Sequence, residues 1–495
     1  MDNENTALIK ELQDIFDNLK VCLQRRDAEM INTTIAAGER LLPCLPWKTA
    51  IAQFYSIVGN TYSGWFELYE YNNNAKTVAL SDNLQKAKTY YRQALSWVKD
   101  QNPHLEKQVW VNYGNCLDFL GRGVEALYAY DEALGIDPQF AMAIGNKAIT
   151  SRHFASISGS YTAAIHIDAY HALHSIIDHA ELVAIGGQGA KQHFEEVLHS
   201  IEAHVTDKTV LEKRRPHPHY NETHLSDFEK FYLRFCITHK LFLNFHIHDD
   251  TCEAALHDSI FISITTPIDD TTTFFKLSRY INQIKEDYAV ARLSLVQSQM
   301  RRKDFDSISK RTTFINPRDY SRTNIYTGLL KSAFKEAFNI LDKIAVFLNR
   351  YYDLGLNERS ISFDSVWVKD KKKDRTLRER LLHTENMSLY ALYDIHKDFQ
   401  NGYYQTLKEI RHALTHRQLT IFELGIEGMQ QDGDLLSISD DEMLRQTIQL
   451  MRLVKAAIIY LINTVTIEEK KKFTTTGKVG TMSASTAQLE DSDEI

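Results

Sequence analysis

The sequence predicts an all-α protein in which a helical solenoid precedes an antiparallel helical bundle. Its 495 residues include only 20 glycines and 8 prolines, well below the roughly 12% that these two residues make up in average proteins. Sandwiches and barrels of β-strands need many turns rich in both, so the composition disfavours them. Hydrophobic residues make up 43% of the chain, which excludes a wholly disordered protein. Apolar residues also recur at three- and four-residue intervals, as helices with one buried face require.

Four segments are expected along the chain. We predict helical repeats over residues 1–155, a helical connecting region over 156–262, a helical bundle over 263–472 and a disordered tail over 473–495. The tail prediction depends on the sequence FTTTGKVGTMSASTAQLEDSDEI, which has no apolar period.

Charge and targeting features narrow the class of protein. The formal net charge is −8, which disfavours a strongly basic nucleic-acid coat protein and implies that any contact with nucleic acid is local. The five cysteines are widely spaced and form no CxxC pair, which favours neither a disulfide framework nor a zinc ribbon. The acidic N-terminus does not fit a signal peptide, and the apolar run at 456–462 is too short for a membrane span. We therefore expect a cytoplasmic protein with no membrane partner.

One segment, Lys107 to Pro138, has the spacing of a helix–turn–helix repeat. Its large, small and aromatic positions are Trp110, Tyr113, Gly114, Leu117, Ala126, Tyr130, Ala133 and Pro138. The segment resembles the tetratricopeptide (TPR) pattern of about 34 residues. Gly114 and Ala126 are small where two helices must approach closely. Stacked repeats of this kind bind proteins or peptides, so we expect an unknown protein or peptide partner; a packing scaffold without a ligand is the alternative.

An interrupted second copy lies upstream. The first block of the repeat, around Tyr113, Gly114 and Leu117, is matched by Val58, Gly59, Asn60 and Tyr62. The second block, Ala126, Tyr130 and Ala133, is matched by Ala87, Tyr91 and Ala94. The gap between the two blocks is longer than in the Lys107–Pro138 segment, and YNNNAKTVALSDN is the predicted insertion. A third start at Ile144–Ala148 is incomplete, and residues 1–45 are expected to form one more helical pair.

A tract in the middle of the chain raises metal binding as a minor alternative. The candidate ligands are His246, His248, Asp249, Asp250, His257 and Asp258. Such side chains can bind metals, but in a helical protein they more often form polar loops and caps. The sequence context of a metal-dependent hydrolase is missing, so we expect no metal and no cofactor.

Long amphipathic helices are predicted from about residue 275 onward. The apolar positions that define two of them are Phe334, Phe338, Leu341, Ala345 and Leu348, and Met443, Leu450, Val454, Ala457 and Leu461. A third helix is predicted between them, from about Tyr404 to Phe422, with Leu407, Ile410, Leu414 and Ile421 facing inward. Helices of this kind with short connections favour an antiparallel bundle.

The third helix carries the sequence EIRHALTHR. Arg411 and His416 form an R-x4-H motif, and His412 follows the arginine. His412 and His416 are i,i+4 neighbours on one helix face, whereas Arg411 lies about 140° around an ideal helix from His416. A single concerted site would therefore need a bent helix end or a second copy of the chain. The motif alone is weak, because arginine and histidine are common on solvated helix faces.

The context of the motif resembles the HEPN superfamily (higher eukaryote and prokaryote nucleotide-binding domain), and in particular bacterial members in which the domain follows TPR repeats. The stretches that carry the resemblance are HKLFLNFHIHDD (239–250), YINQIKEDYAVAR (280–292), KSAFKEAFNILDKIAVFLNRYY (331–352), SISFDSVWV (360–368) and LKEIRHALTHRQL (407–419). Family members often have an asparagine after the motif arginine, where this chain has His412.

The resemblance implies a metal-independent endoribonuclease that acts as a homodimer, with RNA, for example transfer RNA, as substrate. The ribose 2′-OH would attack the adjacent phosphate and leave a 2′,3′-cyclic phosphate. The implied catalytic residues are His416, which can exchange a proton near neutral pH, Arg411, which can hold the phosphate, and His412, as second acid–base group or phosphate contact. A role in phage defence or as a toxin, restrained through the TPR region, follows by family analogy.

Further residues near the motif are candidates for weaker roles. Those expected to bind RNA phosphates are Lys408, Arg417, Lys371, Lys372 and Lys373, of which the last three lie in the basic run VKDKKKDRTLRER. A solvated loop explains that run about equally well. Glu409 is a candidate to orient the arginine or a plain surface glutamate, and Asp342 and Lys343 are expected to be structural.

A second class of function stays open. In it the protein is a non-catalytic adaptor whose repeats bind protein partners and whose HEPN bundle only dimerises or binds nucleotide. The intact Arg411 and His416 pair favours the enzyme, while the overall acidity and the unusual His412 favour the adaptor.

Overall fold

Helices dominate the computed structural model, which describes residues 2–72, 74–158, 162–205, 207–212, 221–244, 253–267, 272–370, 374–475 and 479–482. The all-α class is confirmed, with a helical N-terminal region consistent with a solenoid and a C-terminal helical bundle. The chain divides into two units, Met1–Pro216 and His217–Ile495. The four segments expected from the sequence stay a prediction.

Unit 1 is built of helices throughout. Its helices are α1 (Asp2–Gln24), α2 (Ala28–Leu41), α3 (Lys48–Trp65), α4 (Ala75–Leu80), α5 (Asp82–Val98), α6 (Pro103–Phe119), α7 (Gly123–Ile136), α8 (Ala141–Ser158), α9 (Thr162–Ile176), α10 (Ala180–His204) and α11 (Thr209–Glu212). Consecutive helices pack in pairs, as α6 with α7 and α8 with α9. The short helix α4 lies in the insertion predicted between the blocks of the interrupted repeat.

The two repeat copies share one packing arrangement. A Cβ at Gly114 would lie 2.5 Å from Tyr130 Cε1, and a Cβ at Gly59 would lie 2.7 Å from Tyr91 Cε1. In each copy the tyrosine hydroxyl donates a hydrogen bond of 2.9 Å to the asparagine that follows the glycine, from Tyr130 to Asn115 and from Tyr91 to Asn60. The close approach predicted at Gly114 is therefore confirmed, and the same contact recurs at Gly59.

Replacing Gly114 with alanine is expected to destabilise unit 1 by about 1–3 kcal/mol, because the added methyl group overlaps the buried ring of Tyr130. Gly135 is a matched control at the exposed end of α7. A Cβ there would meet no described atom within 4 Å, so Gly135→Ala should stabilise by about 0.5–1 kcal/mol. Urea denaturation followed by circular dichroism measures both. Equal stability of the two variants would show that the Gly114 contact is not tight.

Unit 2 combines helices with short strands. Its helices are α12 (Asp227–His239), α13 (Thr272–Gln299), α14 (Lys303–Ser309), α15 (Ile325–Tyr351), α16 (Glu379–Leu382), α17 (Met387–Gln400), α18 (Gln405–His416) and α19 (Asp440–Thr475). Its strands are β1 (Ile264–Pro267), β2 (Ser321–Arg322), β3 (Val368–Asp370), β4 (Asp374–Leu377), β5 (Gln418–Phe422), β6 (Met429–Asp432), β7 (Leu435–Ser439) and β8 (Val479–Met482).

The bundle core is formed by α13, α15, α17 and α19. Helix α15 packs against α13 and α19, and α17 packs against α19. All ten apolar positions predicted to face inward on α15 and α19 are buried. Asn324 begins α15 with a capping box, in which its side chain accepts from the Thr327 amide and Thr327 returns the bond. The long helix α15 is thereby fixed at its start and along one face.

A four-stranded sheet beside the bundle was not expected from the sequence. Its order is β2-β5-β7-β6, with β5 and β7 parallel and the other pairs antiparallel. The helix predicted from Tyr404 to Phe422 is therefore too long, since α18 ends at His416 and β5 begins at Gln418. In this stretch Leu419 and Ile421 are buried on alternate positions, which is the period of a strand.

Helix α19 contains a long apolar stretch. By length and composition, Asp440–Lys472 could cross a membrane, but 83% of its apolar window is buried inside the protein. That burial is what the core helix of a soluble protein shows. The tail predicted over 473–495 is described only to Thr475 and over Val479–Met482, and the latter pairs as β8 with β1.

Candidate active site

The motif helix α18 is held along one face and at its C-terminal end. Leu407, Ile410 and Ala413 are its buried residues, and they pack α18 against α15 and α19. Arg417 has an extended backbone, with φ −136° and ψ −162°, and leads directly into β5. The position of His416, the last residue of α18, is thus fixed by the sheet that follows it.

Arg411 makes two contacts with α15. Its Nη2 donates to Asp342 Oδ2 at 2.7 Å, and its guanidinium lies 4.5 Å from the ring centroid of Phe338. Asp342 also accepts, through Oδ1, the backbone N–H of Phe363 at 2.9 Å. The side chain of Arg411 keeps 39% of its surface exposed, so the guanidinium is oriented by the protein yet open to a ligand.

The two motif histidines lie side by side on the exposed part of α18. The ring centroids of His412 and His416 are 5.3 Å apart, with an angle of 57° between the ring planes. Both side chains are exposed. A substrate placed between two such rings could lose a proton from one of its oxygens to one ring and receive a proton at another oxygen from the other ring.

All three predicted catalytic residues line one cavity of about 740 Å³. The cavity extends around α18, so Arg411 and His416 share it despite the angle between them on the helix. Its other walls come from α15, the segment 362–364, the end of α17 and the turn between β6 and β7. A single chain therefore brings the Arg411, His412 and His416 side chains to one space without a bend in α18.

The predicted RNA-binding residues divide into two groups. Lys408 and Arg417 line the cavity, where Lys408 Nζ donates to the Phe399 carbonyl at 3.2 Å and Arg417 Nε lies 3.9 Å from Asp434 Oδ1. Lys371, Lys372 and Lys373 lie outside the described residues. Near them, Lys369 pairs with Glu379 at 2.9 Å and Arg378 donates to the Val366 carbonyl at 3.0 Å.

Three further residues considered beside the motif have defined contacts. Asp342 is the partner of Arg411, so the structural role expected for it includes holding that arginine. The contact joins residues 69 positions apart, so no local spacing could indicate it. Lys343 forms an ion pair with Asp287 of α13 and is structural. Glu409 lines the cavity and accepts from Gln405 Nε2 at 2.9 Å.

His257 and Asp258 are the described members of the metal alternative. Arg292 donates to both carboxylate oxygens of Asp258, at 2.8 and 2.7 Å. Burial would raise the pKa of Asp258, but the hydrogen bonds and charge of Arg292 hold that pKa below its usual value. Within the described ranges, no group of three His, Cys, Asp or Glu side chains could hold a metal ion. His246, His248, Asp249 and Asp250 lie outside those ranges.

Comparison with known proteins identifies the domain that carries this cavity. The family described as LA2681-like HEPN matches residues 268–468, a range that includes Asp342, Arg411, His412 and His416. The chain therefore contains a HEPN domain in unit 2. The match does not extend to the N-terminal repeats, whose TPR assignment stays a prediction. No curated protein matches the chain.

Proposed function

We propose that the HEPN domain is a metal-independent endoribonuclease. The observation that carries the proposal is the convergence of Arg411, His412 and His416 on one cavity, with Arg411 oriented by Asp342. An arginine and two imidazoles suit phosphate transfer within RNA, in which charge must be stabilised and protons moved near neutral pH. The matching HEPN family supports a role in RNA or nucleotide chemistry.

The proposed reaction is an internal transesterification. The ribose 2′-oxygen forms a bond to phosphorus, its proton passes to one histidine, and the bond from phosphorus to the 5′-oxygen breaks. The other histidine gives a proton to the departing oxygen, so the products are a 2′,3′-cyclic phosphate and a 5′-hydroxyl. We assign the acid–base roles to His416 and His412. Arg411 holds the phosphate and offsets the charge that builds up on it.

The remaining parts of the proposal concern partners and setting. A homodimer through the HEPN domain would place a second copy against the exposed face that carries His412 and His416. Unit 1 would bind a protein or peptide and restrain the nuclease, as a cytoplasmic RNase in a phage-defence or toxin-like role requires. Lys408 and Arg417 would bind further phosphates of the RNA, for example transfer RNA.

Asp342 is proposed as a positioning residue for Arg411. Asp342→Asn keeps the shape of the side chain but removes the charge that orients the guanidinium, so kcat for RNA cleavage should fall by roughly 10–100-fold. KM should not rise, because the substitution removes a negative charge near the bound phosphate. Steady-state kinetics on a fluorescent RNA separates the two constants.

Asp287→Asn is the matched control for this variant. It removes another ion pair of α15, that between Asp287 and Lys343, and Asp287 does not line the cavity. If both variants lowered kcat equally, loss of helix packing rather than of Arg411 orientation would explain the effect, and the positioning role of Asp342 would be refuted.

A non-catalytic adaptor is the second candidate, and the Arg411–Asp342 ion pair favours it. A guanidinium already neutralised by a carboxylate binds phosphate less strongly. Expression in cells distinguishes the two candidates. Growth arrest that His416→Ala relieves supports the nuclease, whereas normal growth together with inactive purified protein supports the adaptor.

A further inference from the structure

The cavity has a second region that a phosphate group alone does not require. A row of ring contacts leads away from Arg411 along the cavity wall. Phe338 lies under the guanidinium, Phe399 contacts Phe338 with ring centroids 5.8 Å apart, and Phe363 contacts Phe399 at 6.4 Å. All three rings line the cavity. The three residues are largely buried, with 5–7% of each exposed, so they add a small apolar surface to the cavity that a phosphate, which needs donors and positive charge, does not use.

Polar side chains stand beside this wall. We call the region the base slot and define it by Phe363, Phe399, Leu341, Asp364, His396 and Gln400, which all line the cavity. The cavity as a whole, with a volume of about 740 Å³, lies in the range of small-ligand sites. Unpaired RNA bases are bound in such surroundings, by contacts to the base face and hydrogen bonds to the base edge.

Asp364 is the charged group of the slot, and two neighbours orient it. Gln400 Nε2 donates to Asp364 Oδ1, and His396 Nδ1 lies 3.5 Å from the same oxygen. The His396 side chain is only 4% exposed, while that of Asp364 is 43% exposed. Both contacts are made to Oδ1, and a carboxylate offers acceptors, and no donors, to a ligand in the cavity.

The chemistry of the four bases then selects among them. Guanine has a ring N–H next to an amino group, and this pair of donors matches the two oxygens of one carboxylate. Adenine and cytosine place an acceptor next to the amino group. Uracil has one ring N–H between two carbonyl oxygens, which a carboxylate repels.

We propose that the base slot binds an unpaired guanine of the RNA substrate, next to the phosphate held by Arg411, through its aromatic wall and Asp364. The proposal rests on the proposed function for the placement of the phosphate. It adds a substrate preference, since an RNA with guanine at the cut site would be cleaved in preference to one with uracil there.

Nucleotide binding tests the slot without relying on catalysis. The 3′- and 5′-monophosphates of guanosine, adenosine, cytidine and uridine, and inorganic phosphate, are titrated into the full-length protein by calorimetry. In one of the two series the guanosine compound should bind at least about 10-fold more tightly than the uridine compound and than inorganic phosphate. The series that shows the preference tells on which side of the phosphate the guanine lies.

Two variants test the assigned groups. Asp364→Asn should bring the ratio of guanosine to uridine binding close to one, and Asp353→Asn, at a side chain that is 87% exposed and outside this cavity, should leave it unchanged. Gln400→Ala changes an exposed side chain and should lower the ratio in part, which provides a second test if Asp364→Asn has a lowered melting temperature.

The outcomes separate this inference from the nuclease proposal. Equal binding of the four bases, or binding no tighter than that of inorganic phosphate, overturns the base slot whether or not RNA is cut. Selective guanosine binding without RNA cleavage upholds the slot and counts against the nuclease. RNA cleavage without any base preference in binding overturns the base slot and supports the nuclease.

Discussion

Replacing His416 with alanine is expected to abolish RNA cleavage. General acid–base groups contribute about 10²–10⁴-fold to rate, and the variant should lose activity by at least the lower of these factors. His416 is exposed at the end of α18 and lines the cavity, so its loss should leave the fold intact. Single-turnover cleavage of a labelled RNA measures the change.

A matched histidine controls for this variant. His383 is also exposed, in the same unit, and does not line the cavity, so His383→Ala should cleave RNA at the rate of the unaltered protein. His412→Ala then tests whether His412 transfers the second proton of the proposed reaction. If His416→Ala retained full activity with an unchanged melting temperature, the cavity would not be the site of cleavage.

Replacing Arg411 with alanine is the second change with a large expected effect. Loss of one donor to a developing negative charge costs about 10²–10³-fold in rate, and Arg411→Ala should lose that much kcat. The stability cost should be below about 1 kcal/mol, because the ion pair with Asp342 is partly exposed. Thermal denaturation measures the stability cost, and single-turnover cleavage measures the loss of rate.

The control for this variant is Arg445→Ala. Arg445 pairs with Glu442 on α19, its side chain is 64% exposed, and it does not line the cavity. Arg411→Lys should restore part of the activity, since lysine keeps the charge but loses the paired donors. A fully active Arg411→Ala variant would remove the phosphate-binding role from this residue.

The faces of the long helices could be predicted because their period is local. Phe334 to Leu348 on α15 and Met443 to Leu461 on α19 recur at helical spacing, and all the named positions are buried. The close approach of two helices at Gly114 was predictable from the spacing of the repeat, whereas its contact with Tyr130 came from the structure. The motif in α18 was recognisable from its spacing and from the stretches around it.

The sheet and the partner of Arg411 could not be predicted in this way. Leu419 and Ile421 fit the end of an amphipathic helix as well as a short strand, and only pairing with β7, which follows later in the chain, decides between them. The helical period of α15 explains why the apolar neighbours of Asp342 are buried, but it does not predict which residue the Asp342 side chain contacts. Its contact with Arg411 depends on how α15 and α18 pack, which local sequence does not encode.

RNA cleavage by the purified full-length protein in EDTA, with the product ends mapped, tests the central claim most directly. The account predicts products that end in 2′,3′-cyclic phosphate and 5′-hydroxyl, formed without a divalent metal and absent with His416→Ala. Three results would contradict it: cleavage that requires a divalent metal, products with 5′-phosphate ends, or a double variant, Arg411→Ala with His416→Ala, that cleaves RNA as fast as the unaltered protein.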